Sequence, residues 1–285
     1  METGQGAGEN SGECWFSRLV VPLIWLTVFL SVLFAALIFV IPLDTYRLLG
    51  HIFEAVVSLF CMACCLYLYR TVSDRLILLL SAFAFFSYAL TTTFWYLYTV
   101  ALGRMFVFTT VAEFGFLCFF FFFIAAISIE FPDRGMRSST TVLLLLIFLA
   151  VPLVIGYEGG ITQPVHFLLV IVRFLVIGLL ITTAVRHGVH HYTLLWAGIC
   201  LRCLASMLYG IRETLFVVYP VPLFPATGFT APLTVYDFLS IVGPMIICSY
   251  ALILIGLFSY ITGSRDPPHT GDVTAPRTGR EKCRH

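Results

Sequence analysis

The stretch of sequence that decides the fold is residues 164–185, PVHFLLVIVRFLVIGLLITTAV, which is apolar apart from His166, Arg173 and two threonines. A helix that crosses a bilayer needs about 20 mainly apolar residues, and this stretch has that length. The pattern recurs along the chain and predicts an all-α, polytopic transmembrane helix bundle of about eight spans. The predicted spans are residues 19–43, 48–69, 76–100, 105–130, 140–157, 164–185, 192–219 and 235–262.

The composition agrees with a protein embedded in the lipid bilayer. Of the 285 residues, 60% are hydrophobic and 11% are charged, whereas a soluble domain has about 45–50% and about 25%. The net charge is +1 without a long basic run, so we expect no nucleic-acid partner. Residues 1–16 contain no basic side chain, and residues 19–43 exceed a signal-peptide core of about 7–15 residues, so this stretch is expected to remain as an anchor.

The basic residues predict the orientation, because cytoplasmic loops carry the excess of Lys and Arg. With the amino terminus inside, only Arg47 and Arg104 fall in external loops. We therefore expect a cell-membrane protein with a cytoplasmic tail at 1–18, a bundle at 19–262 and a disordered, basic cytoplasmic tail at 263–285. The basic residues on the cytoplasmic side are Arg18, Arg70, Arg75, Arg134, Arg137, Arg186, Arg265, Arg277, Arg280, Lys282 and Arg284.

Polar side chains inside the predicted spans form the candidate site, because a charge at membrane depth is costly and is a functional hypothesis by default. At about 1.5 Å per residue, most of them fall at one level in the outer half of their spans. The polar residues of the second and seventh spans recur on one helix face each, and these faces are predicted to point inward. The two stripes are His51, Glu54, Ser58, Cys61 and Cys65, and Arg202, Ser206, Tyr209 and Glu213. The candidate ligand- or ion-binding residues are His51, Glu54, Glu113, His166, Arg173, Arg202, Tyr209, Arg212, Glu213 and Asp237.

Two interpretations of these residues stay open at the level of sequence. In the first, they form buried ion pairs that fix helix packing, such as Arg173 with Glu113 or Arg212 with Asp237. In the second, which their number favours, they line an outward-facing pocket for a small polar or cationic ligand. Carboxylates outnumber arginines at this level, and a buried acidic surplus must take up protons or bind a cation.

The histidine and cysteine patterns lead us to expect no metal and no cofactor. His187, His190 and His191 form the His-x-x-His-His pattern of di-iron membrane enzymes, but the same membrane side lacks companion ligands for two metals. Cys61-Met-Ala-Cys64 has the spacing of redox and metal sites. It lies inside an apolar span, where we expect cysteines to pack as small hydrophobic side chains. None of the nine cysteines falls in an external loop, so disulfides are not expected.

Two segments of this sequence carry a family resemblance. His51-Ile-Phe-Glu54 opens a span that ends at Tyr69-Arg70, and a later run leads from Leu201-Arg202 through Tyr209 to Glu213-Thr-Leu-Phe. The layout resembles the multi-pass, membrane-associated sensor modules of the MASE type in prokaryotic histidine kinases and diguanylate cyclases. The resemblance implies a sensor. Those proteins carry an output domain that this sequence lacks, so we expect a separate signalling partner or a homo-oligomer.

The sequence thus favours a non-enzymatic membrane sensor or receptor module. A secondary transporter or proton-coupled carrier using the same carboxylates is the alternative, and an integral-membrane enzyme acting on lipid or through a metal is third. The cytoplasmic halves of the spans are almost free of charge, which indicates access from one side and favours the sensor. The sequence contains no G-x-S-x-G, H-E-x-x-H or P-loop motif that would favour an enzyme.

Overall fold

The computed structural model describes residues 29, 32–34, 36–37, 40, 43–102, 110–136, 138–159, 164–218 and 242–263. Within these ranges every regular element is helical and no strand is present. A short 3₁₀ turn, Val189–His191, joins two of the α-helices. The α-helices are α1 Leu43–Thr71, α2 Leu76–Leu102, α3 Thr110–Glu130, α4 Ser138–Gly159, α5 Pro164–Arg186, α6 Thr193–Val218 and α7 Val242–Gly263.

These helices coincide with the second to eighth predicted spans. Six of them, α1, α2, α3, α5, α6 and α7, are long and apolar enough to cross a membrane. The apolar part of α4, Ser139–Val154, is shorter, and Pro152 lies inside that helix. Of the first predicted span, residues 29, 32–34, 36 and 37 are helical, Val40 lies in a turn, Leu43 begins α1, and the other residues lie outside the described ranges. The all-helical class, with six helices fit to span a membrane, is therefore confirmed for the described residues, while the count of eight spans stays a prediction.

The six long helices form a closed ring. Each helix packs on the next in the order α1, α2, α3, α5, α6 and α7, and α7 packs back on α1. Helix α4 lies outside the ring against α5 and α6. Large apolar side chains cover the outside, including Val56, Phe114 and Leu204. A surface of this kind suits lipid, which is as apolar as the side chains themselves.

Glycines set the closest approach between ring helices, as is common where helices pack in lipid. A Cβ atom on Gly256 of α7 would lie 2.5 Å from the Cα atom of Leu195 on α6. One on Gly198 of α6 would lie 2.7 Å from the backbone nitrogen of Ile253 on α7. Because neither neighbour is the end of a flexible side chain, any larger residue would push α6 and α7 apart.

One end of the ring gathers three connecting loops and the end of α7. Glu130 at the end of α3 accepts hydrogen bonds from Arg75 Nη1 (3.1 Å) and from the Tyr260 hydroxyl (3.0 Å). Arg186 at the end of α5 binds the carboxylate of Asp133. These contacts place the ends of α1, α3, α5 and α7 together, as an alternating up-and-down bundle requires. We call Arg75, Glu130, Phe131, Asp133, Arg186, Tyr192 and Tyr260 the loop cluster.

Candidate functional site

The polar face of α1 points into the ring. Glu54, Ser58, Cys61 and Cys65 are all buried, which confirms the predicted inward-facing stripe for these four residues. The Ser58 hydroxyl donates to the backbone oxygen of Glu54 over 2.7 Å. The spacing of 3–4 residues between polar groups keeps them on one side of α1.

Glu54 is held by a tyrosine of the next helix. The Tyr88 hydroxyl on α2 donates to Glu54 Oε2 over 2.8 Å, and both side chains are buried. On the far side, Gly243 of α7 leaves room for the carboxylate, since a Cβ atom there would lie 3.2 Å from Glu54 Oε1. The carboxylate therefore sits where α1, α2 and α7 meet.

Arg202 on α6 is the largest fully buried side chain among the described residues. Its Nη1 donates to Ser206 Oγ, one turn along the same helix, over 2.5 Å. Within the described ranges, Nε and Nη2 have no hydrogen-bond partner. A buried donor without a partner costs about 1–3 kcal/mol, and more when the group is charged. Burying Arg202 at this position therefore costs free energy that a packing role alone does not explain.

Aromatic rings surround the Arg202 guanidinium. A cation within about 6 Å of a ring centroid is attracted by the ring's quadrupole, so these rings partly replace the lost hydration. The distances from Cζ to the ring centroids are 4.6 Å for Tyr88, 4.9 Å for Phe119, 5.4 Å for Phe120 and 5.6 Å for Tyr250.

The ion pair between Arg173 and Glu113 is the second buried charged group of the bundle. Arg173 Nη2 on α5 binds both carboxylate oxygens of Glu113 on α3, and both side chains are buried. Arg173 Cζ also lies 5.2 Å from the Phe116 ring and 5.1 Å from the Tyr209 ring. This is the pair that the first interpretation of the sequence named. Glu113 and Arg173 are thus brought together as mutual partners.

Aromatic side chains connect the two charged groups. The Phe116 ring lies 5.2 Å from the Tyr88 ring and 5.9 Å from the Tyr209 ring. The whole assembly draws on all six ring helices, and it lies inside the bundle. We call it the polar core; its members are Glu54, Tyr88, Glu113, Arg173, Arg202, Ser206, Tyr209 and Tyr250.

The remaining candidates from the sequence are not part of this geometry. His51 is half-buried, and its ring stacks on Trp95 at 6.3 Å. His166 belongs to α5, and Arg212 and Glu213 belong to α6, but their side chains lie outside the described residues, as does the whole of Asp237. The predicted pairing of Arg212 with Asp237 therefore stays a prediction.

The sequence reasoning missed Tyr88, Phe119 and Tyr250. The candidate residues were the charged, histidine and polar side chains of the spans, whereas these three side chains resemble ordinary apolar or interfacial aromatics. A signal was present for Tyr88, because Ser81, Tyr88 and Trp95 recur every seven residues on one face of α2. No comparable spacing points to Phe119 within the phenylalanine-rich α3.

The histidine loop, which carries His187, His190 and His191, makes contacts within the protein and does not present a set of metal ligands. His187 Nδ1 lies 2.6 Å from the backbone oxygen of Phe131, and the His190 and His191 rings lie 4.2 Å apart. Desolvation, together with the neighbouring His190 and Arg134, lowers the pKa of His191. In the part of the chain that the structure describes, no group of three or more His, Cys, Asp or Glu side chains could hold a metal ion.

The loop cluster contains an exposed ion pair and a group of packed aromatic rings. Hydrogen bonds from the Arg186 side chain and from the Gly135 backbone lower the pKa of Asp133 to about 2. Gly188 adopts a left-handed conformation with φ of 72°, and the Arg134 side chain packs where a Cβ atom would otherwise lie. The Phe131, Tyr192 and Tyr260 rings stack on one another at centroid distances of 4.8–5.4 Å. The cluster therefore ties the end of α7 to the loops between α3 and α4 and between α5 and α6.

Comparison with known proteins adds nothing to the description of the fold or the polar core. No protein family, no curated protein and no solved structure matches this chain.

Proposed function

We propose that this protein is a non-enzymatic membrane sensor or receptor module whose polar core receives a small polar ligand. The observation that carries the proposal is the buried Arg202, whose Nε and Nη2 lack partners among the described residues while aromatic rings enclose its guanidinium. A buried ionic network stabilises a fold less than apolar packing of the same volume. Its presence where six helices meet favours a role beyond packing.

The position of the polar core supports a sensor over an enzyme. Its members hold hydrogen bonds, an ion pair and ring contacts that cross between helices, so a ligand that competes for one of them would change how the helices pack. Such a ligand shifts a conformational equilibrium only by its differential affinity for the two arrangements.

The charge balance bears on the type of ligand. Glu54 and Glu113 face Arg173 and Arg202 within the described residues, so no acidic surplus exists there. The prediction of a cationic ligand depends on Glu213 and Asp237, whose side chains lie outside the described residues. The polar core therefore supports a polar ligand without selecting a cation.

The orientation and partners belong to the same proposal. Both termini lie in the cytoplasm of a cell-membrane protein with eight spans, and the loop cluster faces that side. A signal would leave through the loop cluster, where Tyr260 near the end of α7 contacts Glu130. A separate signalling partner or a second copy of the chain would receive it, as the resemblance to MASE-type modules implies.

A carrier using the same residues is the second candidate, and access separates the two. A sensor opens its polar core to one membrane face, whereas a carrier must open it to both in turn. Cysteine-free protein with Ser206→Cys would be reconstituted in liposomes and treated with a membrane-impermeant sulfonated thiol reagent from either face. Asp133→Cys, in the exposed loop after α3, reports the orientation of the inserted protein.

The proposal expects Ser206→Cys to react from the face opposite to Asp133→Cys only. Reaction from both faces would overturn the sensor in favour of the carrier. Reaction from neither face would contradict an aqueous site in the polar core.

A further inference from the structure

The guanidinium of Arg202 presents one complete hydrogen-bonding edge without an acceptor. Arginine has five N–H donors in a fixed planar fork. Nη1 is committed to Ser206 Oγ, whereas Nε and Nη2 have no partner within the described ranges. These two nitrogens point parallel N–H groups in one direction, the geometry that binds both oxygens of a carboxylate at once.

The surroundings of this edge favour a planar ligand. The guanidinium is enclosed by the Tyr88, Phe119, Phe120 and Tyr250 rings at 4.6–5.6 Å. The Tyr250 hydroxyl, also buried, lies beside the Ser58 and Tyr88 hydroxyls. The two guanidinium N–H groups of this edge therefore lie in a buried, mainly aromatic environment.

The two buried carboxylates of the polar core already have hydrogen-bond partners. Glu54 accepts a hydrogen bond from Tyr88 over 2.8 Å, and Glu113 forms an ion pair with Arg173. Ser206 fixes Nη1, which holds the fork in place along α6. The fork is thus oriented in advance, so a ligand loses little side-chain freedom on binding.

We propose that the Nε/Nη2 edge of Arg202 binds the carboxylate of a monocarboxylate ligand inside the ring of helices. This assignment rests on the proposed function and names the ligand class for the same site. Two sources supply that chemistry: a small carboxylate from water, or the head of a free fatty acid from the bilayer. The carboxylate places a negative charge beside Glu54, which is therefore its natural competitor.

The test measures binding to the full chain in lipid nanodiscs. Benzoate represents the aqueous source and oleate the bilayer source; benzamide and methyl oleate are their uncharged counterparts. Arg202→Lys keeps the positive charge but removes the fork. Arg186→Lys makes the same chemical change on the exposed pair with Asp133 and serves as the matched control.

The proposal expects benzoate or oleate, and neither uncharged counterpart, to bind the wild-type chain. Arg202→Lys should weaken that binding by about tenfold or more, because a point charge replaces a bidentate contact, while Arg186→Lys leaves it unchanged. No binding of either acid overturns the proposal, and so does equal binding by Arg202→Lys or by the uncharged counterpart.

A second variant decides the outcome if Arg202→Lys fails to fold. Glu54→Gln removes the competing charge and should tighten carboxylate binding by about threefold or more, since a like charge disfavours the charged form of its neighbour. Unchanged or weaker binding by Glu54→Gln contradicts the assignment. The proposed function fails separately, through reaction of Ser206→Cys from both faces or from neither, whether or not a carboxylate binds.

Discussion

Arg173 on α5 and Glu113 on α3 form a buried ion pair between adjacent helices of the ring, with Nη2 of the arginine bound to both carboxylate oxygens. The two side chains neutralise each other, and the Phe116 and Tyr209 rings flank the guanidinium. The pair therefore joins two neighbouring helices of the ring by charge as well as by packing. It differs from Arg202, whose charge is met chiefly by aromatic rings.

Breaking this pair should destabilise the protein strongly. Arg173→Gln leaves Glu113 as an uncompensated buried charge, so we expect a loss of about 3–5 kcal/mol in the free energy of unfolding. Unfolding in mixed detergent micelles measures it. Arg186→Gln removes an exposed arginine from its pair with Asp133 and should cost far less, because solvent screens an exposed pair. Equal, small losses in both variants would show that the buried pair holds no helices together.

The close contact between α6 and α7 predicts an unusual response to glycine substitution. Gly256→Ala places a Cβ atom 2.5 Å from the Cα atom of Leu195, and overpacking of this kind costs about 1–3 kcal/mol. Gly50→Ala on α1 meets only Phe34 Cζ at 3.4 Å, an ordinary contact. Alanine also has the higher helix propensity. Thermal unfolding should therefore show a lower midpoint for Gly256→Ala and an unchanged or higher one for Gly50→Ala.

The pair of Asp133 and Arg186 predicts a stability change in acid. The pKa of Asp133 falls from an ordinary value of 3.8 to about 2 in the folded chain. A depressed carboxyl pKa stabilises the folded state fully above the unfolded-state value, and that contribution is lost as the pH falls through the folded-state value. The free energy of unfolding should therefore be higher for the wild type than for Asp133→Asn at neutral pH.

The two proteins should converge as the pH is lowered from about 4 to about 2, because protonated Asp133 resembles asparagine in charge. Comparing the variant with the wild type at each pH removes the titration of other carboxyl groups. A difference that stays constant across this range would contradict a charge-dependent role for Asp133.

The hydroxyl of Tyr260 should contribute modestly to the loop cluster. It donates to Glu130 Oε1 over 3.0 Å, at the point where the end of α7 meets α3. Tyr260→Phe keeps the ring contacts with Phe131 and Tyr192 and removes one hydrogen bond, so we expect a loss of about 0.5–1.5 kcal/mol. Tyr67→Phe, on the exposed face of α1, is the matched control and should be neutral in the same unfolding measurement.

The sequence predicted the helices well because each is defined by the length of an apolar run, which a bilayer imposes directly. It also predicted the inward face of α1 at Glu54 and Ser58, and it named Glu113 as a partner of Arg173. It did not predict that α4 lies outside the ring, because the partner of a helix depends on the shapes of several faces at once. For the same reason it missed the contribution of Tyr88 and Tyr250 to the surroundings of Arg202.

The distribution of basic residues predicts how the protein is oriented in the membrane. The basic residues predict that both termini are cytoplasmic, since only Arg47 and Arg104 fall in predicted external loops. The structure adds that the loops after α1, α3 and α5 and the end of α7 lie at one end of the ring. All of them must therefore face the same side, and a single reporter in this group reports for the rest.

Cysteine labelling in intact cells with an impermeant reagent tests this orientation. Cys283 and a cysteine introduced by Thr227→Cys lie outside the described residues, beyond α7 and between α6 and α7 respectively. We expect Thr227→Cys to react from outside, and Cys283 and Asp133→Cys to react only after the cells are opened. Strong labelling of Cys283 in intact cells, or protection of Thr227→Cys, would invert the orientation. The loop cluster would then face outward, and a signal could not leave through it to a cytoplasmic partner.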